Sequence, residues 1–168
     1  MTKRSEALAQ RVEEGHRELM ALIESLSDEE WKRPIPGDMR TVGVVLHHVA
    51  DVLPILTVLF KDIAAGNTMT GIELQTVHDL NYQHSIDHAE CTKDETLALL
   101  KQNSTTISAA IRELSDEELD QAVPLSLHFD APLTTQYFIE FHPLRHSYWH
   151  IADVRALLGK PGQSMELP

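Results

Sequence analysis

The chain has 168 residues, 42% hydrophobic and 24% charged, an ordinary globular composition that excludes a disordered, collagen-like or disulfide-stapled chain. Lys and Arg number 14 against 26 Asp and Glu, a formal net charge of −12 that repels phosphate backbones; with no basic run interleaved with aromatics, nucleic-acid binding is disfavoured. The single cysteine, Cys91, permits no internal disulfide and fits a reducing compartment.

The first residues run straight into polar helical sequence without an apolar leader, so a cytoplasmic protein is expected. Ser5 to Leu26 places Leu8, Val12, Leu19, Ile23 and Leu26 along one helical stripe. Ser27-Asp-Glu-Glu30 is a capping-box pattern that starts a short turn, and Pro34-Ile-Pro36-Gly37 breaks it. Thr41 is the expected N-cap of a second helix with the stripe Val44, His48, Val52, Ile55, Leu59, Ile63, kinked at Pro54 and ended by Ala64-Ala65-Gly66. Val42 to Phe60 approaches membrane-spanning length, but His47, His48, Asp51 and Pro54 argue for a buried core helix and against a membrane span.

From Asn67 to Cys91 the pattern is weak and polar, which predicts a long crossover with one short helix around Glu73 to His84. Thr92-Lys-Asp-Glu95 caps a third helix with Leu97, Leu100, Ile107, Ile111 and Leu114 on its core face, closed at Ser115-Asp-Glu-Glu118. An extended-looking link, Val123 to Leu133, leads to a fourth segment that ends at Leu158-Gly159-Lys160-Pro161. Pro143 either kinks that segment or marks the start of its helix. The expected fold is all-α, with four long helical segments in a single domain over residues 1–168.

Two pairs of motifs recur in the same order: Glu24-Ser-Leu-Ser-Asp-Glu-Glu30 with Arg112-Glu-Leu-Ser-Asp-Glu-Glu118, and His48-Val-Ala-Asp-Val52 with His150-Ile-Ala-Asp-Val154. Two helical hairpins related by an approximate two-fold would bring His48 and His150 towards one axis.

Ten histidines are unusually many for this length, and three stand out by position. His146 and His150 are four apart, so on a helix their rings project from one face close enough to hold one cation. His48 lies on the apolar stripe of another helix, where an imidazole needs a polar partner. His47 is the alternative on that helix. Three nitrogens from two helices leave coordination positions open for water or substrate. His142 is about 12 Å from His150 along a straight helix, too far to share an ion. His84 and His88 have the same spacing as His146 and His150 but little apolar wall around them, and read as a solvated pair; His16 reads as an edge-of-core residue. Asp51 and Asp153 are candidates to orient the ring nitrogens of His48 and His150. Arg40 and Arg145 could steer a carboxylate towards the metal. No catalytic residue is assigned.

Taken together, Leu26-Ser-Asp-Glu-Glu-Trp31, Thr41-Val-Gly-Val-Val-Leu-His-His-Val-Ala50 and His146-x-x-x-His150 before Ala156-Leu-Leu-Gly159 resemble the DinB-like superfamily, over residues 5–160. The resemblance implies a four-helix bundle with a long crossover between helices 2 and 3. It also implies a three-ligand divalent metal site, onto which His48, His146 and His150 fall. Characterised relatives include bacillithiol S-transferases and mycothiol-dependent maleylpyruvate isomerases. Trp149-His150-Ile-Ala-Asp153 departs from the frequent family ending His-His-Arg-Gly-Gln. The leading expectation is therefore an enzyme, a Zn²⁺- or Ni²⁺-dependent transferase that activates a low-molecular-weight thiol, or water, against a small electrophile. A non-catalytic small-molecule or metal-binding bundle is the alternative, and a homodimer is the expected assembly.

Overall fold

Local capping chemistry sets most of the helix boundaries. In the computed structural model, which describes residues 2–38 and 40–160, α1 (Lys3–Ser25) starts at a capping box between Thr2 and Ser5. Ser27 and Glu30 exchange backbone and side-chain hydrogen bonds to start α2 (Asp28–Trp31). Thr41 accepts from the Val44 amide ahead of α3 (Val42–Asp51), and α4 (Leu53–Ala64) follows almost directly. After α5 (Leu74–Asp87), capping boxes at Thr92 and Ser115 open α6 (Lys93–Glu113) and α7 (Asp116–Asp120). Each box satisfies backbone amides that the first helical turn leaves without partners.

The bundle is built from α1, the α3–α4 helix, α6 and a composite C-terminal helix. α1 packs along α6 and α9 (Arg145–Leu157), and α3 packs on the same two, so each of these helices meets helices distant from it in sequence. Their shared core includes Val12, Leu19, Ile23, Leu46, Leu53, Phe60, Ile107, Ile111, Ile139 and Val154. The core face of α3–α4 is Val42, Leu46, Val49, Ala50, Leu53, Leu56, Phe60 and Ile63, and Val44 and Val45 are buried beside it. It lies about one residue round from the expected stripe, leaving Ile55 exposed and His48 at the edge of the core. The Val42–Ala64 stretch is apolar enough to cross a membrane by length and composition alone, but it supplies this bundle's core.

Pro54 explains the break between α3 and α4. It has no amide hydrogen for the carbonyl four residues back, that of Ala50. The buried Asn103 Nδ2 on α6 donates to that carbonyl at 3.0 Å. A side chain from a neighbouring helix thus replaces the backbone bond that the proline removes, and ties the kink to the core.

The link after α7 folds into an antiparallel hairpin, β1 (Ala122–Leu125) and β2 (Ala131–Thr134), a minor addition to an otherwise helical fold. Thr134 then caps α8 (Thr135–Ile139), which runs through a π-helical turn, Glu140–Leu144, into α9. Pro143 therefore lies inside a continuous helical run and does not start it. The wide turn absorbs the missing amide, and Arg145 donates to the Glu140 carbonyl five residues back. One extra residue in a turn rotates everything downstream by about 100°. Phe138 and Ile139 thus face the core on one side of it, and Ser147, Ile151 and Val154 on the other. Beyond α9, Gly159 takes a positive φ of 64° and the Lys160 amide bonds the Arg155 carbonyl, a glycine stop as expected.

The two halves repeat a detail. α1 and α6 both end at a leucine in extended conformation, Leu26 and Leu114, and each is followed by a capped helix of four or five residues.

A candidate metal centre lined by histidines

α3 and α9 lie side by side, so the imidazoles of His48, His146 and His150 meet between them. The His146 and His150 Nε2 atoms are 3.0 Å apart, one turn from each other on α9. The His48 ring stands edge-on to both, with centroids 5.3 Å from His146 and 6.3 Å from His150. Trp149 stacks on His150, and the Arg145 guanidinium lies over the Trp149 and Phe141 rings, walling one side. The Arg40 guanidinium makes a forked pair with Asp38, as close as 2.7 Å.

Burial governs the protonation of this group. Loss of hydration pushes the His48 and His146 imidazoles down to about 3 and His150 to about 4, helped by the neighbouring rings for His48 and His146 and by Arg40 for all three. Near neutral pH they are uncharged, each with a ring nitrogen free to accept a proton or a cation. Two Nε2 atoms 3.0 Å apart also match two donors on one metal at the usual Zn–N distance of about 2.0 to 2.1 Å, subtending about 90°. By charge and donor type the three residues suit a divalent transition-metal ion, and the spacing of His146 and His150 fits one.

His47 points elsewhere. Its Nδ1 is 3.0 Å from His84 Nε2, and its ring stacks on that of His88 at 4.2 Å between centroids. The expectation that His84 and His88 form a solvated pair is corrected here, because α5 lays both against α3. His84 has only 9% of its side chain exposed, and burial takes it down to about 4. The signal was present in the sequence, since His84 and His88 have the spacing of His146 and His150. The groups that enclose them come from a different helix. Asp51 lies 3.8 Å from His84 Nε2, on this side of α3, and Asp153 is exposed.

His142 packs on Phe138, with ring centroids 4.4 Å apart, and also touches His128. His16 is fully buried, deeper than the core edge expected for it. Its Nδ1 bonds Ser104 Oγ at 2.8 Å, and the Pro143 backbone also lies against the ring. Burial raises the Cys91 thiol above its ordinary value, which disfavours a nucleophilic thiolate there, while the Cys91 carbonyl accepts from Trp31 Nε1.

Facing helices that bring several neutral imidazoles to one place define a class: helix bundles that build ligand and metal sites from inward-facing side chains. The chain belongs to the DinB superfamily, whose family model matches residues 11–152. The fold is also similar to that of YfiT from Bacillus subtilis, described as a probable metal-dependent hydrolase with an unusual four-helix bundle topology. The two are 21% identical, with a TM-score of 0.73 over 95% of this chain and 90% of that one. An uncharacterised protein from Clostridium difficile 630 is similar at 17% identity and a TM-score of 0.71, covering 95% of this chain and 98% of the other. No curated protein matches.

Proposed function

We propose that the chain is a divalent-metal enzyme, with His48, His146 and His150 as the metal ligands, that activates a small nucleophile against a small electrophile. The observation that carries this reading is the meeting of three uncharged imidazoles from two helices, two of them 3.0 Å apart through Nε2. A bound Zn²⁺ or Ni²⁺ would supply Lewis acidity that lowers the pKa of a thiol or water in an open coordination position. The protein's own contribution is to fix the three rings and to wall the site with Trp149, which stacks on His150. Arg145 is held over the Trp149 and Phe141 rings and makes no ion pair with a carboxylate among the described residues, so it is available to orient a carboxylate-bearing substrate.

A low-molecular-weight thiol is the favoured nucleophile, in keeping with the superfamily's thiol transferases. Water is the second reading, supported by the description of YfiT as a probable metal-dependent hydrolase. A cytoplasmic homodimer is part of the proposal, supported by the more than half-exposed apolar side chains Ile55 and Val58 on α4 and Leu74, Leu80, Tyr82 and Ile86 on α5.

The test is metal analysis of tag-free protein after supplementation, followed by conjugation assays with bacillithiol, mycothiol and glutathione against a reactive electrophile. Metal bound in the wild type, reduced by His150→Ala and accompanied by turnover with one thiol, is the expected result. Metal content below about half an equivalent and unchanged by His150→Ala refutes the reading. Bound metal without turnover with any thiol leaves hydrolysis or ligand sequestration.

A further inference from the structure

We propose a second divalent transition-metal site, formed by His47 and Asp51 on α3 with His84 on α5 and His88 at its C-cap, beside the first and separate from it. Two pairs of residues four apart face each other across two helices, the spacing that puts both members of each pair on one side of their helix. The histidines offer one ligand nitrogen each, all within 4.8 Å of one another. The closest approach is 3.0 Å, between His47 Nδ1 and His84 Nε2. The Asp51 carboxylate, with its Oδ2 3.8 Å from His84 Nε2, is placed to complete four donors and to offset the cation's charge.

The packing around α5 points the same way. No residue of α5 is buried, so the helix has no apolar anchor of its own, and its packing in the bundle is against α3. Where His84 meets α3, its Nε2 faces His47 Nδ1 and the more distant Asp51 carboxylate. Three imidazoles stacked and tilted at 4.2 to 5.1 Å between centroids are a poor substitute for an apolar contact. A nitrogen-preferring cation held between them gives the crossover helix its attachment.

The two triads also meet: the His84 ring stands edge-on to His48 at 5.3 Å. A cation pinning α5 therefore fixes one wall beside His48. With four protein donors, one of them a carboxylate, the second site suits a structural ion, whereas the first, with three, leaves a position for exchange.

The experiment is Zn²⁺ titration of tag-free, chelator-treated protein by equilibrium dialysis, repeated with Co²⁺ to read the ligand field by absorption. The variants are His84→Ala/His88→Ala and His146→Ala/His150→Ala, with far-UV circular dichroism to verify folding and His88→Gln as a milder substitution. The wild type should bind two equivalents and each double variant one, with different Co²⁺ spectra for the two remaining sites. Chymotryptic cleavage at the exposed Leu80 and Tyr82 should slow on adding Zn²⁺ to the wild type and not to His84→Ala/His88→Ala. Two equivalents retained by His84→Ala/His88→Ala overturn the second site. A wild-type maximum of one, kept by that variant and lost in His146→Ala/His150→Ala, overturns it too while leaving the proposed function intact. One equivalent lost in His84→Ala/His88→Ala and kept in His146→Ala/His150→Ala upholds the second site and removes the first.

Discussion

Asn103→Ala tests whether the side chain of α6 replaces the bond that Pro54 removes from the α3–α4 helix. The substitution leaves the Ala50 carbonyl without its 3.0 Å donor, in a place where water has little access because Asn103 is only 8% exposed. An unsatisfied buried carbonyl costs about 1–3 kcal/mol, and deleting the rest of the amide adds little because it is polar. Restoring an amide at position 54 supplies the missing donor, and the proline ring is exposed, so Pro54→Ala loses little packing. The cost of Asn103→Ala should therefore shrink by about 1–2 kcal/mol in the Pro54→Ala background. Urea unfolding of the four proteins in the cycle measures this directly, through midpoint shifts at constant slope. Equal costs in both backgrounds, within about 0.3 kcal/mol, would refute the account of the kink.

Gly43→Ala should destabilise by about 1–3 kcal/mol despite the better helix propensity of alanine, because the new Cβ would fall 2.4 Å from Trp31 Cε2 in a ring bonded to the Cys91 carbonyl. Thermal unfolding measures the loss, and an unchanged Tm would mean that Trp31 moves freely. His16 binds a proton below about 6.5 when unfolded but only below about 4 when folded, so unfolding takes up a proton between those values and stability falls as pH drops through them. The wild type should lose about 3 kcal/mol relative to His16→Met over that window, and a pH-independent difference would contradict the burial argument. Free Zn²⁺ at about 100 times its Kd should stabilise the folded chain by about 2.7 kcal/mol for each site that it fills, seen as a raised Tm. The shift should diminish in His146→Ala/His150→Ala and vanish with a chelator in excess.

Boundaries governed by neighbouring residues were readable in the chain itself. The capping boxes at Ser27 and Thr92, the N-cap Thr41, the closure of α6 before Ser115 and the stop at Gly159 are set by groups three to five residues away, and all appear where the pattern placed them; that Ser115 also caps a further short helix was not read. Features decided by a second helix were not. The helix α3–α4 is buried around more than one stripe: Val44 and Ile63 are buried as the pattern placed them, but Ile55 is exposed, and Leu46, Leu53 and Phe60 in the core lie outside the stripe. His84 and His88 look solvated from α5 alone, and only α3 encloses them. His146 and His150 could be paired by spacing, but Pro143 left the path of their helix open until the π turn settled it. The hairpin at Ala122–Thr134 gave only an extended-looking run, and its partner strand could not be named from periodicity.

The helix order of the bundle also constrains how the molecule can assemble. The contact of His47 with His84 closes 37 positions of chain, whereas that of His48 with His146 spans more than half of it. On the ribosome, the imidazoles of α3 and α5 can come together while α9 is still unmade, and the groove between α1 and α3 stays open to water until the last long helix emerges. A nascent chain at that stage has a ready foothold for a cation on one side of α3 and only a lone ring on the other.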